Sequence, residues 1–372
     1  MVIRTLAEAQ SPRRIGRRLL RSGLLEALAY PHGVDRYTEL IRPLMLARDV
    51  RAEVVGVRLQ TPKSVTLTLR PNANWEGFRA GQFVGLSANV AGVRVSRPYS
   101  LAGSEHATDG TLEMTVSTHP MGRLSRHLRE HVRAGLVVDL TQAQGEFVLP
   151  DRRPEGVLLI SGGSGITPVM AMLRTLCDER EVPKIGFLNY ARSPLTALYE
   201  GELRHLESAH PGLRVARGFT RSTGGQITGR LCREHLSAVI DQHADPAIFA
   251  CGPPALVESV RTICASEGLA EPAIETFSGP VLSIDTENAR GVVRFASSGL
   301  EAPNTGLPLL EQAEDAGLTP AYGCRMGICN SCSCLKSTGT VRNVISGAVS
   351  TADEEQIRIC VSAPVGDVVL DI

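Results

Sequence analysis

The chain has 372 residues, 43% of them hydrophobic and 21% charged, and its 39 basic residues balance its 39 acidic ones. That length suits two or three domains with sizeable cores, and nothing in the charge balance calls for a nucleic-acid partner. No apolar run approaches the length of a membrane-spanning helix and no secretory signal opens the chain, so nine cysteines point to a reducing, cytoplasmic setting.

Residues 1–49 read as a helical, basic extension. Ile15, Leu19, Leu20, Leu24, Leu25 and Leu28 recur at helical spacing, with Arg13, Arg14, Arg17, Arg18 and Arg21 between them, and Tyr30-Pro31-His32-Gly33 ends the pattern. Such a helix either packs on its own protein or lies on an anionic membrane surface or partner. The basic start contrasts with residues 280–372, where six basic residues face eleven acidic ones. An acidic module is steered toward a basic docking face.

Over 50–150 short alternating strands follow one another, at 54–59, 64–69, 82–86, 112–118 and 137–140, separated by Pro and Gly turns. Many short strands in about a hundred residues predict a small antiparallel β-barrel. Within it, Arg97-Pro98-Tyr99-Ser100 places an aromatic ring beside a hydroxyl and an arginine, a set that suits a flavin: a ring to pack on the isoalloxazine, a hydroxyl near N5, a guanidinium for phosphate. Gly122-Arg123-Leu124-Ser125 then opens a short helix, whose N–H groups offer an anion site for a pyrophosphate.

Over 151–278 the pattern becomes α/β. Val157–Ser161 is a continuous apolar run, as expected of a buried parallel strand. It enters Gly162-Gly163-Ser164-Gly165-Ile166-Thr167-Pro168 and a helix over 169–176. A strand, a glycine-rich turn and a helix start set N–H groups against a diphosphate. Further strands at 185–190, 213–219 and 247–251 alternate with helices, predicting a doubly wound domain that ends at Cys251-Gly252-Pro253-Pro254. Cys177, Cys232 and Cys264 read as buried free thiols.

The last segment, 279–372, holds Cys324, Cys329 and Cys332 in the spacing C-x4-C-x2-C, with Cys360 further on. This is the ligand pattern of a plant-type [2Fe–2S] ferredoxin, in which each of two irons takes two thiolates. Gly323 and Gly327 let the loop wrap closely. A zinc site is the rival reading, although zinc sites usually pair CxxC knuckles or use histidine. Cys334 is either a small buried hydrophobe or a ligand able to exchange with Cys332.

RxYS in a barrel, GxxS at a helix start, GGSGITP after a strand and CGPP near the end of an α/β domain occur here in one order. In that order the chain resembles the ferredoxin–NADP reductase superfamily, fused to a C-terminal plant-type ferredoxin. The resemblance implies a multidomain fold: an antiparallel β-barrel flavin domain, a doubly wound nucleotide-binding domain and a β-grasp ferredoxin domain behind the helical extension. It implies that Arg97 binds a flavin phosphate, that Tyr99 stacks on the flavin and that Ser100 lies near N5. Val116 and Thr118 would line the ribityl chain, and Gly122, Arg123, Leu124 and Ser125 would hold the pyrophosphate. Gly163, Ser164, Gly165 and Thr167 would face the nucleotide diphosphate, with Cys251 and Gly252 at the nicotinamide. Glu275-Thr276-Phe277 resembles a family segment near flavin and nicotinamide. The flavin is FAD, with FMN as the alternative.

The second α/β strand ends in Asn189-Tyr190-Ala191-Arg192-Ser193, without the acid that favours NAD. Arg192 and Ser193, with Arg221, could hold a 2′-phosphate, so NADPH is expected over NADH. The expected path runs from NADPH to flavin to cluster and then to an oxygenase or desaturase. Arg42-Pro43-Leu44 and the sequence before it resemble actinobacterial reductases of membrane-bound di-iron fatty-acid desaturases and alkane hydroxylases. That implies a place at the inner face of the membrane and a role in lipid metabolism. The alternatives are an NADH-dependent reductase of a Rieske-type oxygenase and a non-enzymatic, redox-sensing or zinc-stabilised module.

Overall fold

The computed structural model describes residues 44, 49–119, 122–179, 183–240, 245–277, 286, 289–322, 327, 332–345 and 347–372. The helix expected over 1–49, Cys324, Cys329 and the segment 278–280 lie outside the described residues.

The first module is the expected barrel. Strands β1 (Val50–Thr61), β2 (Ser64–Pro71), β3 (Phe83–Val90), β4 (Val93–Ser100) and β5 (Leu112–Ser117) precede helix α1 (Arg123–His131) and β6 (Val137–Leu140). They form one antiparallel sheet in the order β4-β3-β6-β1-β2-β5. An isolated bridge between Leu101 and Met114, with Ala102 N–H donating to Glu113 O at 2.7 Å, brings the two sheet edges together. Alternation sends Val50, Ala52, Val54, Val65, Leu67, Leu69, Leu112, Met114 and Val116 inward, and Leu124 and Leu128 of α1 join them. β4 is not among the strands expected from sequence. Pro98 interrupts its pattern, but β4 is an edge strand in the sheet order, where a missing N–H costs no ladder bond.

The second module contains β7 (Gly156–Gly162), α2 (Ile166–Asp178), β8 (Lys184–Ala191), α3 (Glu200–Ala209), β9 (Leu213–Phe219), β10 (Ile227–Thr228), β11 (Ala247–Cys251), α4 (Pro254–Glu267) and β12 (Ala273–Glu275). The sheet is parallel, in the order β10-β9-β8-β7-β11-β12. The chain winds outward from β7 to β10 and then returns to the other side of β7 as β11. The reversal lies between β7 and β11, and in open α/β sheets ligands bind at the carboxyl ends of the strands flanking such a reversal. Apolar clusters cover both faces, one around Leu159, Phe187 and Leu173, the other around Leu158, Leu188 and Val260. The helix α2 starts at Ile166, three residues earlier than expected. Pro168 sits in its first turn, where a missing N–H has no intrahelical partner to lose.

Arg174 of α2 ties these modules together. It donates to Glu113 Oε1 at 2.8 Å and the Ala102 carbonyl at 2.7 Å on the barrel, and to Glu202 Oε1 at 2.6 Å on α3. Beside it, the Tyr199 hydroxyl meets Thr115 Oγ1 at 2.5 Å.

The third module comprises β13 (Val292–Phe295), β14 (Leu300–Pro303), α5 (Leu309–Asp315), β15 (Ser333–Asn343), β16 (Val349–Ser350), β17 (Glu355–Arg358) and β18 (Ser362–Leu370). The order is β14-β13-β18-β15-β16, with β17 on β15 and only β13–β18 parallel. This mixed sheet carries α5 through Leu309, Leu310 and Ala313. Lys336 is fully buried on β15, and its ammonium donates to the Gly339 and Ala352 carbonyls with the Glu355 carboxylate 3.8 Å away.

Candidate active site

A cavity of about 420 Å³ opens where the barrel meets the reversal point of the parallel sheet. Its barrel wall is Arg97, Pro98, Tyr99 and Ser100 at the end of β4, with Thr115 and Ser117 of β5. Gly122, Leu124 and Ser125 close one end, and Ser164 and Thr167 come from the glycine-rich turn. Glu275, Thr276 and Phe277 complete the lining from the end of β12. Nine of the residues singled out from sequence thus meet in one place, although they come from four separate stretches of chain.

The chemistry of this wall is set by burial. Ser100 Oγ and Glu275 Oε2 are both buried and have no hydrogen-bond partner among the described residues. Native proteins seldom leave such atoms unpaired, so two in one cavity fit a ligand with polar groups on its edge. Burial raises the Glu275 carboxyl from an ordinary 4.5 to about 8, which leaves it largely protonated at neutral pH. Cys251 is directly paired with Glu275 across β11 and β12. Burial and then the adjacent carboxylate push its thiol well above the ordinary range, so it is no thiolate nucleophile. Burial likewise raises the Tyr99 phenol, against the lowering pull of Arg97, and the ring stays neutral.

The turns that border the cavity are short of side-chain volume. A Cβ on Gly165 would overlap the Cys251 carbonyl, and one on Gly122 would overlap Ser125 Oγ. These glycines let the turn after β7 press against the end of β11 and let α1 begin beside the cavity. Ser125 Oγ accepts from His119 N–H at 3.3 Å and holds that entry in place. Thr167 Oγ1 donates to Ser164 O at 3.0 Å across the start of α2. The residues around these two helix starts fit an extended dinucleotide with a pyrophosphate.

Several expected residues lie elsewhere. Val116 is wholly buried in the barrel core, and Thr118 Oγ1 donates to Lys63 O at 2.9 Å. Thr115 and Ser117 line the cavity instead, because strand side chains alternate and the expected pair is one residue out of phase. Arg123 points along a second surface hollow with Arg126 and His127, on the other side of α1. Gly163, Gly165 and Gly252 belong to the bordering turns and contribute no lining. Arg192 and Arg221 are exposed at the carboxyl end of the sheet, and Arg221 N–H donates to Arg192 O at 2.9 Å, which joins their loops. Ser193 caps the short turn Pro194–Thr196. Glu275 is named from sequence only within the segment Glu275-Thr276-Phe277 and given no role of its own, because a carboxylate's protonation carries no signal until a fold buries it. Cys264 is buried as expected, but Cys177 and Cys232 are only half-buried.

In the third module Cys332 and Cys360 are buried, with Sγ atoms 3.1 Å apart. One follows the loop and one precedes β18, so two distant segments deliver thiols to a single point, a donor set that suits a cluster iron. Gly327 has φ +72°, and the Arg358 guanidinium donates to its carbonyl, pinning the loop to the end of β17. Cys334 Sγ is turned to the Leu335 and Asp371 carbonyls at 3.4 and 3.7 Å, which supports its reading as a packed thiol.

Comparison with known proteins gives the same three parts. An oxidoreductase FAD-binding domain model matches residues 60–149, an oxidoreductase NAD-binding domain model matches 159–262, and a 2Fe-2S iron-sulfur cluster binding domain model matches 296–365. An NADPH oxidoreductase of Mycobacterium tuberculosis is 35% identical over 343 residues, covering 91% of this chain and 88% of that protein. A glycine betaine monooxygenase reductase subunit of Pseudomonas aeruginosa is 28% identical, covering 79% and 87%. The solved phthalate dioxygenase reductase shares the fold with a TM-score of 0.59 at 22% identity, over 87% of this chain and 97% of that one. The cofactor set is therefore FAD, a nicotinamide nucleotide and [2Fe–2S], and the zinc alternative falls.

Proposed function

Since the chain belongs to the FAD- and NAD(P)H-dependent reductases that carry a 2Fe-2S domain and serve oxygenases, we propose that it takes electrons from NADPH and delivers them to a membrane-bound di-iron desaturase or monooxygenase. The observation that carries the site assignment is the pair of unpartnered buried atoms, Ser100 Oγ and Glu275 Oε2, on one cavity beside the sheet reversal.

Bound FAD supplies the conversion of a two-electron hydride into single electrons. The protein's own contribution is placement. Arg97 would turn its N–H edge to a phosphate, Tyr99 would offer a ring face and Ser100 a hydroxyl. The start of α1, from Gly122 to Ser125, would take the pyrophosphate, and the turn Gly163–Thr167 the nucleotide diphosphate. Cys251 and Gly252 are small enough to let a nicotinamide ring approach. Glu275, neutral at pH 7, would hold a proton beside them, and Phe277 would keep water from the cavity mouth.

NADPH is favoured because the end of β8 carries Arg192 and Ser193 and no acid, and because the Arg192 and Arg221 loops are joined by a backbone hydrogen bond. The membrane-bound acceptor rests on the basic amphipathic pattern of residues 1–49. Among the described residues no helix is long and apolar enough to cross a membrane. The test is an anaerobic visible-absorption titration with NADPH and with NADH. Bleaching of flavin and cluster bands at lower NADPH than NADH supports the reading. Flavin bleaching without a cluster response, or equal potency of the two nucleotides, overturns the corresponding part.

A further inference from the structure

One side-chain contact joins the third module to the flavin wall. Tyr322 precedes the cluster loop, two residues before Cys324, and its ring lies 5.9 Å from the Arg97 guanidinium carbon. That is within the reach of a cation–π contact, about 6 Å. Arg97 stands on β4 in the cavity lining, with Nη1 donating to Ser96 O at 2.7 Å. A guanidinium has two kinds of surface. Its planar edge carries the N–H groups that bind phosphate, and its faces stack on aromatic rings. One arginine can thus bind a phosphate edge-on while a tyrosine covers a face.

We propose that Tyr322 is a positioning residue that docks the cluster-bearing module on Arg97, so that the cluster is held where it accepts electrons from the flavin. The proposal rests on the reading of the cavity as the flavin site and of Cys324, Cys329, Cys332 and Cys360 as cluster ligands. Tyr322 is 38% exposed and lies outside the buried core, so its truncation removes the contact without opening a cavity. The ring is the feature under test, because the Arg97 guanidinium carbon lies over its face. No bond is made or broken at Tyr322: bound FAD would take two electrons from NADPH and the cluster would relay them singly to the external acceptor, while Tyr322 only positions the two modules. Tyr322 acts only on the share of molecules in which the transfer from flavin to cluster is short.

The experiment uses the full chain with its cofactors, as wild type, Tyr322→Ala, Tyr322→Leu and Tyr322→Phe. Anaerobic rapid mixing with NADPH separates flavin bleaching from cluster reduction. Hydrogen exchange of the amides in 94–100 and 317–322 reports docking independently of turnover. Tyr322→Ala and Tyr322→Leu are expected to leave flavin bleaching unchanged and to slow cluster reduction about two- to fivefold, the population change that a contact of ~0.5–1 kcal/mol supports. Exchange in both segments rises, and Tyr322→Phe behaves as wild type. Should Tyr322→Ala lose iron, the comparison of Tyr322→Leu with Tyr322→Phe decides the matter in the same way. Equal cluster-reduction rates and equal exchange in all variants overturn the docking role, as does a Phe variant as slow as Leu. Failure of NADPH to bleach the flavin in wild type would instead overturn the site reading beneath it.

Discussion

Cys251 and Glu275 end two neighbouring parallel strands in register; burial holds both groups toward their protonated forms, and the Glu275 carboxylate adds to the cost of ionising Cys251. A thiol and a carboxyl that both stay protonated near neutral pH give this end of the sheet polar groups without fixed charge. That suits a surface against which an uncharged or cationic ring must slide.

Glu275 makes stability depend on pH in a defined direction. Its folded value of about 8 lies above the ordinary 4.5, so between them the folded state binds a proton that the unfolded chain has lost. This contribution is complete below 4.5 and is lost as pH rises toward 8, with a slope of up to about 1.4 kcal/mol per pH unit, and it is flat above. Glu275→Gln removes it. Melting temperatures at pH 5.5, 7 and 8.5 should show the variant gaining on wild type as pH rises, and parallel curves would mean that the carboxyl is ionised throughout.

Gly165→Ala is expected to cost about 1–3 kcal/mol, because the backbone carbonyl of Cys251 cannot give way as a flexible side chain could. Gly163 faces open space but has φ +59°, so Gly163→Ala carries only the smaller left-handed backbone penalty. Calorimetry of both variants, with nucleotide affinity alongside, should rank Gly165→Ala as the more damaging.

Arg192→Ala should raise the KM for NADPH about tenfold or more and leave NADH unchanged, as expected for one charge-assisted hydrogen bond of about 1.5–3 kcal/mol. Arg221→Ala should do the same to a lesser degree. Steady-state kinetics with both nucleotides checks this, and an equal loss with each would remove the 2′-phosphate assignment.

Arg174→Met leaves Glu113 and Glu202 without their shared cation, in side chains only 23% and 30% exposed. Removing one partner of a largely buried ion pair costs about 3–5 kcal/mol. The loss should appear as earlier unfolding in denaturant and as protease cleavage between barrel and parallel sheet. Unchanged stability would show that the other junction contacts, Tyr199 to Thr115, Glu105 N–H to Thr175 Oγ1 and His106 to Glu179, suffice without Arg174.

Cys334→Ser should retain full iron content, whereas Cys332→Ser and Cys360→Ser should each lose most of it. Iron and sulfide analysis under anaerobic purification distinguishes them. Loss of iron from Cys334→Ser would restore the ligand-exchange reading that its turn toward the Asp371 carbonyl argues against.

Local pattern was enough to read the three modules, the glycine-rich turn and the cysteine spacing, because each is encoded by neighbours in sequence: alternation for barrel strands, an apolar run for β7, small residues where backbone must approach a phosphate. RxYS was legible for the same reason, although its own strand was not, since Pro98 is tolerated only because β4 lies at an edge. What the tertiary structure decided depends on partners far along the chain. Alternation on β5 gives Val116 to the core with Leu112 and Met114, and Thr115 and Ser117 to the cavity; the apolar–polar phase is written locally, but which face meets the cavity depends on the modules beyond the strand. Glu275 becomes a protonated group only because β12 buries it against Cys251. Tyr322 meets Arg97 only because the cluster-bearing module comes to rest against the barrel. Burial and electrostatic shifts are sums over surrounding atoms, so they exist only once those atoms have been brought together.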